Sequence, residues 1–282
     1  MRLALLLAAL VACKGGTDSG PAVGPDTGDS GIPSGPALDW RPLIEEDPAG
    51  AWLSAWGLSD QDVWVVGGQP EVGAVRRGPL DDLQLFDVPA GTPLLNWVHG
   101  VAEDDVWVGG IAGTLLHWDG AAWTDHSVDV EEAIWGVYAI ASDEVYAVGG
   151  QSGFGGESAL ALRWDGVAWS SLALPEAAEG LTNLFKVHWD GTALWMVGHK
   201  GAALRGDGVT FDVAPTGTTA DLVTANRPVD GGPLVVVGGR GTGVVAEVEG
   251  DGLAVKVQAQ AGLNGVQVLP SGDAVVVGEA GY

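Results

Sequence analysis

The chain has 282 residues, with 12 Lys and Arg against 37 Asp and Glu, for a formal net charge of −25. So acidic a chain is a poor match for a nucleic-acid backbone or an anionic lipid surface, and nucleic acid is not an expected partner. Glycine (46 residues) and tryptophan (13) are abundant and there is a single Cys. This composition suits many short strands joined by tight turns, with no disulfide in the fold.

Met1-Arg2 opens the chain with a positive charge, and Leu3 to Ala12 form an unbroken apolar run. The run is too short to span a bilayer but has the form of a signal-peptide core, assigned to residues 1–12. It ends in Leu10-Val11-Ala12-Cys13, which resembles the bacterial lipobox. The resemblance implies that the Cys13 thiol is modified with diacylglycerol and becomes the mature N-terminus. Lys14, where an Asp would signal retention at the inner membrane, implies an outer-membrane lipoprotein facing the periplasm or the cell surface. The membrane is then touched only through this lipid. Residues 13–37 make the anchor and a linker. Gly, Pro, Ser, Asp and Thr dominate Lys14 to Ala37, so this stretch is expected to be a disordered tether of roughly 27 Å mean span. Asp26-Thr27-Gly28-Asp29 lacks the ligand spacing of an EF-hand and is read as linker.

From residue 38 to 282 the chain is periodic. Val-rich runs end at Gly67, Gly109, Gly149, Gly198, Gly238 and Gly278, at intervals of 42, 40, 49, 40 and 40 residues. A period near 40 in strand-like units predicts an all-β propeller, because one unit cannot bury both faces of its sheet. Each unit reads as four strands, a to d. Strand a covers Leu53–Gly57, Asn96–Val101, Trp135–Ile140, Leu184–Trp189, Leu222–Asn226 and Leu263–Val268. Strand b is the Val-rich run, apolar without alternation and so buried on both faces. Strand c ends near Trp118, Trp164, Arg205 and Val248, and strand d begins at Trp123, Trp169, Phe211 and Leu253. Asp119-Gly120, Asp165-Gly166, Asp207-Gly208 and Asp251-Gly252 lie between c and d and are expected to turn with both residues at positive φ. Trp40 occupies a strand-d position, so Asp39 to Ile44 is expected to supply the outer strand of the last blade and close the ring. The last unit then has a and b from the C-terminus but no c. The propeller is therefore expected to have six blades and to be incomplete at its C-terminal end, with seven blades if the chain runs past Tyr282.

Trp56-Gly57-Leu58-Ser59-Asp60-Gln61-Asp62-Val63-Trp64 and His117-Trp118-Asp119-Gly120-Ala121-Ala122-Trp123 resemble the Trp-rich propeller repeats of bacterial secreted proteins and lipoproteins. Those families are loosely related to the BNR/Asp-box propellers and the photosystem-assembly-factor propellers. The resemblance spans roughly Leu38 to Tyr282 and carries the fold but not an activity. Asp119-Gly120 lacks the residue that the Asp-box places between Asp and Gly. Trp118-Asp119 is also similar to the WD40 dipeptide, without that family's Gly-His.

No catalytic signature is evident. His99, His117, His126, His188 and His199 lack metal-ligand spacing, and there is no nucleophile elbow or phosphate loop. The arginines read as few and scattered, and neither metal nor cofactor is expected. Trp56, His99, Tyr138, His188 and Gln267 share one register of strand a; they either line the channel as a polar-aromatic ring or pack between blades, and packing is the usual role of aromatics at repeat positions. The a–b and c–d turns should form an acidic face. The b–c turns open on the opposite face and carry Gln151, His199, Lys200 and Arg240, the candidate ligand-binding residues, with the long Gln151 to Gly156 loop and the long Leu174 to Asn183 connection on the same side. The expected function is a lipid-anchored, non-enzymatic binding or scaffolding propeller for a protein or polysaccharide at the cell envelope. A sialidase-type or glycosidase-type enzyme would instead need paired inward carboxylates; an assembly factor for a membrane complex is the third reading.

Overall fold

A computed structural model describes residues 41–228 and 231–279. The signal peptide, Cys13 and the linker lie outside the described residues. Five antiparallel four-stranded sheets follow one another, each with its strands paired in sequence order, and a two-stranded sheet comes last. The first blade is Ala51–Gly57 (β1), Val63–Gln69 (β2), Val72–Gly78 (β3) and Gln84–Phe86 (β4). The second is Leu95–Ala102 (β5), Asp105–Gly110 (β6), Leu115–Trp118 (β7) and Trp123–Asp125 (β8). The third is Ala133–Ala141 (β9), Glu144–Gly150 (β10), Leu160–Trp164 (β11) and Trp169–Ser171 (β12). The fourth is Leu184–Trp189 (β13), Leu194–Gly198 (β14), Ala203–Gly206 (β15) and Phe211–Val213 (β16). The fifth is Leu222–Asn226 (β17), Val235–Gly238 (β18), Gly243–Glu249 (β19) and Gly252–Ala259 (β20), and the sixth sheet pairs Leu263–Val268 (β21) with Ala274–Gly278 (β22).

The continuous apolar runs are strands covered on both faces, as their pattern requires. Every residue of β6, β14 and β18 is buried, whereas β22 holds one buried residue in five. Trp64, Trp107, Tyr146 and Trp195 occupy the same place on strand b and are almost completely buried. Each such ring contributes about 3 kcal/mol of hydrophobic stabilisation.

A glycine follows each of these positions three residues on: Gly67, Gly110, Gly149, Gly198, Gly238 and, in the last sheet, Gly278. The reason is a bulge in strand a. Register shifts there turn a carbonyl inward, and a Cβ on the glycine would overlap the carbonyl oxygen of Ala51, Leu94, Ala133, Asn183, Asp221 or Gly262. In the second blade this glycine is Gly110 rather than the expected Gly109, because Leu95 pairs with Gly110.

Three of the arginines are not scattered. Arg77, Arg163 and Arg205 sit on strand c opposite Trp64, Tyr146 and Trp195, and His117 sits opposite Trp107. The Arg77 guanidinium lies 4.3 Å from the centroid of Trp64, and the His117 ring stacks on Trp107 at 4.4 Å. A carboxylate two residues before the aromatic completes each group: Asp62 bonds Arg77 at 2.7 Å, Asp105 bonds His117 at 2.8 Å, and Glu144 lies 4.0 Å from Arg163. In the fourth blade Ala193 replaces the acid, and Arg205 pairs with Asp251 of the fifth blade at 3.3 Å. Much of the acidic face is therefore engaged in the fold.

The c–d turns differ from expectation in mechanism. Gly120, Gly166 and Gly208 have φ of 90 to 92°, but their Asp partners do not take positive φ. The Asp119 carboxylate instead accepts from the amides of Ala121 (2.9 Å) and Ala122 (2.7 Å), closing a four-residue loop between Trp118 and Trp123. Asp165 and Asp207 repeat this arrangement. In the fifth blade Glu249 pairs with Gly252, so the turn is Gly250-Asp251, with Gly250 at φ 60°.

The outer strand expected over Asp39 to Ile44 is not formed over its described part. Residues 41–44 make no strand; Leu43 and Ile44 line a hollow on the first blade with Arg76 and Leu83. Asp47 anchors this segment, accepting from Arg76 Nε at 2.7 Å and Trp52 Nε1 at 3.2 Å. Asp39 and Trp40 lie outside the described residues.

Candidate functional site

The b–c turns and the d–a connections emerge together, as expected. Gly150 bridges to Asn183, and the amides of Gln151 and Ala159 donate to the carbonyls of Thr182 and Leu181. The loop after Gly150 is a small hairpin closed by a Ser152–Gly155 bridge, with Phe154 58 % exposed at its tip.

The four candidate residues form one chain of contacts. The Gln151 amide donates to the Thr182 carbonyl at 3.0 Å, and the Thr182 hydroxyl bonds His199 Nδ1 at 2.8 Å. His199 Nε2 lies 3.8 Å from the Asp221 carboxylate, whose same oxygen accepts the Lys200 amide at 2.8 Å. Arg240 Nε reaches the other Asp221 oxygen at 3.9 Å, while its side chain stays 84 % exposed. Lys200 adopts φ 55°, and its side chain is exposed. The side-chain amide of Gln151 makes no contact with the other three; the residue joins them through its backbone, and its carbonyl accepts from Trp135 Nε1 at 3.3 Å. His199 and Lys200 also line an open hollow of about 460 Å³ with Glu179, Leu181, Val213 and Thr216.

Asp221, Asn183 and Trp135 complete this face and were not singled out from the sequence. A signal existed: Asn183 and Asp221 are the polar residues at a register held elsewhere by Ala51, Leu94, Ala133 and Gly262. Seeing it requires placing the bulge, which shifts the register by one residue.

The strand-a aromatics pack between blades. Trp56 lies 6.0 Å from His99, His99 stacks on Tyr138 at 4.3 Å, and Tyr138 lies 4.6 Å from His188. Asn226 fills this register in the fifth blade and Gln267 in the sixth. The same residues bond the next blade: His99 Nδ1 accepts the Ala139 amide at 3.1 Å, and Asn226 Oδ1 accepts the Val268 amide at 2.8 Å. Accepting at Nδ1 places the proton of neutral His99 on Nε2. Burial, reinforced by Lys186 and then His188, holds His99 well below the usual imidazole range. Burial and then Lys186 push His188 down to about 3.

No family model matches this sequence, and no curated protein matches it. Solved structures do. A WD40 propeller domain of Doa1 superposes with a TM-score of 0.59 at 13% identity, covering 81% of this chain and 75% of that one. The chain is a β-propeller. YCF48 from Cyanidioschyzon merolae aligns with a TM-score of 0.55 at 12% identity, over 77% of this chain and 74% of that one. A structure titled "YCF48 bound to D1 peptide" aligns with a TM-score of 0.50 at 17% identity, over 65% of this chain and 62% of that one. At such identities the likeness extends to the fold alone.

Proposed function

We propose that this propeller is a non-enzymatic binding module, held at the cell envelope by acylation of Cys13, and that the b–c face of blades 3 to 5 receives a segment of a protein partner. The carrying observation is the gathering of His199, Lys200 and Arg240 around Asp221, beside the exposed Phe154 loop. These are residues in which the copies differ, whereas the repeated residues are consumed by the fold. A partner that covers Phe154 gains about 1.5–3 kcal/mol from that ring. The Lys200 and Arg240 side chains suit a segment bearing carboxylates. A propeller neighbour solved with a bound peptide supports a protein segment over a polysaccharide as occupant, and makes service as an assembly factor the second reading.

A photo-cross-linking amino acid at position 154, compared with one at Val167 on the opposite face, tests the site in whole cells. Val167 is 83 % exposed, so both probes are accessible. The expected outcome is a discrete cross-linked species from 154 that is absent from 167; equal patterns from both positions would refute the choice of face. Metabolic labelling with an alkyne-bearing fatty acid tests the anchor. Label should be lost, and the chain released from membranes, in Cys13→Ala.

A further inference from the structure

Among the described residues, six Lys and Arg side chains pair with carboxylates: Arg76, Arg77, Arg163, Arg205, Arg240 and Lys256. Lys186, on β13, the strand of its blade that packs against the first strands of the neighbouring blades, is different. It is 4 % exposed, yet no carboxylate of the described residues lies within ion-pair distance. In a chain with 37 acidic residues against 12 basic ones, a buried amine without an acid is a feature of that place, since an isolated buried charge is costly.

The register explains how it comes to lie there. Two residues before the inter-blade aromatics, the strands carry Ser54, Trp97, Gly136, Lys186, Thr224 and Gly265. Gly136 of the third blade has no side chain, and the Lys186 chain passes over it to the second blade. There its Nζ sits 3.3 Å from the centroid of Trp97. The indole Nε1 of Trp97 is itself buried without an acceptor. The amine acts on His99 of β5 and His188 of β13, Tyr138 of β9 lies between those two rings, and Arg227 acts on both Tyr138 and His188. None of them is an acid, and Asp190 at the end of β13 is engaged by the Thr192 and Ala193 amides and by Trp195 Nε1.

We propose that the channel holds a carboxylate-binding site, in which the Lys186 ammonium, backed by the face of Trp97, pairs with one carboxylate of a small organic acid or of a peptide chain end. The aromatic face stabilises the cation, and the entering carboxylate supplies the partner that the described residues do not. This site does not depend on the b–c face being a binding surface. Burial alone holds the empty amine well below the usual lysine range. The bound form needs the ammonium, so binding takes up a proton, and affinity falls as pH rises through the Lys186 midpoint.

The chain contains four lysines, Lys14, Lys186, Lys200 and Lys256, so each Cε resonance of the full-length, 13C-lysine-labelled protein is assignable by single substitution. Sodium acetate is exchanged for sodium chloride at constant ionic strength while the Cε titrations are followed. The expected result is a saturable acetate shift at Lys186 alone, with its midpoint raised by about one pH unit, a tenfold preference for the protonated form. Acetyl-dialanine with a free carboxylate, compared with its amide, separates the two sources: a shift with both acids admits a chain end, and a shift with acetate alone confines the site to small acids. Lys186→Met, close in length and apolar, should fold and show no acetate binding by calorimetry. No saturable shift, equal shifts at all four lysines, or undiminished binding in Lys186→Met would each overturn the proposal.

Discussion

His99 and His188 are neutral imidazoles locked between blades, one accepting a backbone amide and the other bonded to the Trp189 carbonyl. Their burial has a thermodynamic consequence. The unfolded chain takes up these protons near the ordinary imidazole value of 6.5, whereas folded His188 does so only at about 3. The folded midpoint is depressed, so the contribution is fully present above 6.5 and is lost as pH falls through the window down to about 3. The slope is at most about 1.4 kcal/mol per pH unit for each such histidine. Urea unfolding between pH 7 and pH 4.5 should therefore show a steep loss of stability that flattens in His188→Gln. An equally steep loss in that variant would show that His188 is not responsible.

At the scale of strands and turns, the most informative residues are those where sequence and structure agree on place but not on cause. Asp119-Gly120 does lie between strands c and d, yet the Asp works by accepting the Ala121 and Ala122 amides. Those two bonds, Ala122 first, hold its carboxyl below the usual range. Gly120 alone needs the left-handed region at φ 90°, and a Cβ there would meet Asp104 Cβ at 2.6 Å. Gly120→Val should cost roughly 2 kcal/mol or more from strain and overlap, lowering the melting temperature without a selective effect on binding. A variant with unchanged melting would contradict this. Strand b was legible because double burial leaves an unbroken apolar run, and all six strand-a bounds were legible to within two residues. The bulge was not, since it depends on a carbonyl turned inward by pairing, and Gly109 stood in for Gly110. The outer strand over Asp39 to Ile44 rested on the likeness of Trp40 to Trp123; over its described part the chain instead follows Asp47 to Arg76 and Trp52. The groups of blades 1 to 3 that join an aromatic ring, an Arg or His and a carboxylate, and Lys186 with Trp97, were hidden because they need cross-strand and inter-blade registers that no local spacing displays.

Across the whole molecule, protection is uneven. β18 is wholly buried, whereas β22 has a single buried residue among five and pairs only with β21 in the described residues. Amides of Ala274–Gly278 should exchange with deuterium well ahead of those of Val235–Gly238, because sub-global opening follows local burial. The proposed function rests on a similar contrast: residues shared by the blades build the sheets, whereas His199, Lys200 and Arg240, each peculiar to its blade, gather around Asp221 on the b–c face. The most direct measurement of that claim is the affinity of the partner cross-linked at position 154, for the native chain and for Lys200→Glu/Arg240→Glu. At least a tenfold loss, about 1.4 kcal/mol, is expected, with an unchanged melting temperature. Undiminished affinity in that double variant would contradict it.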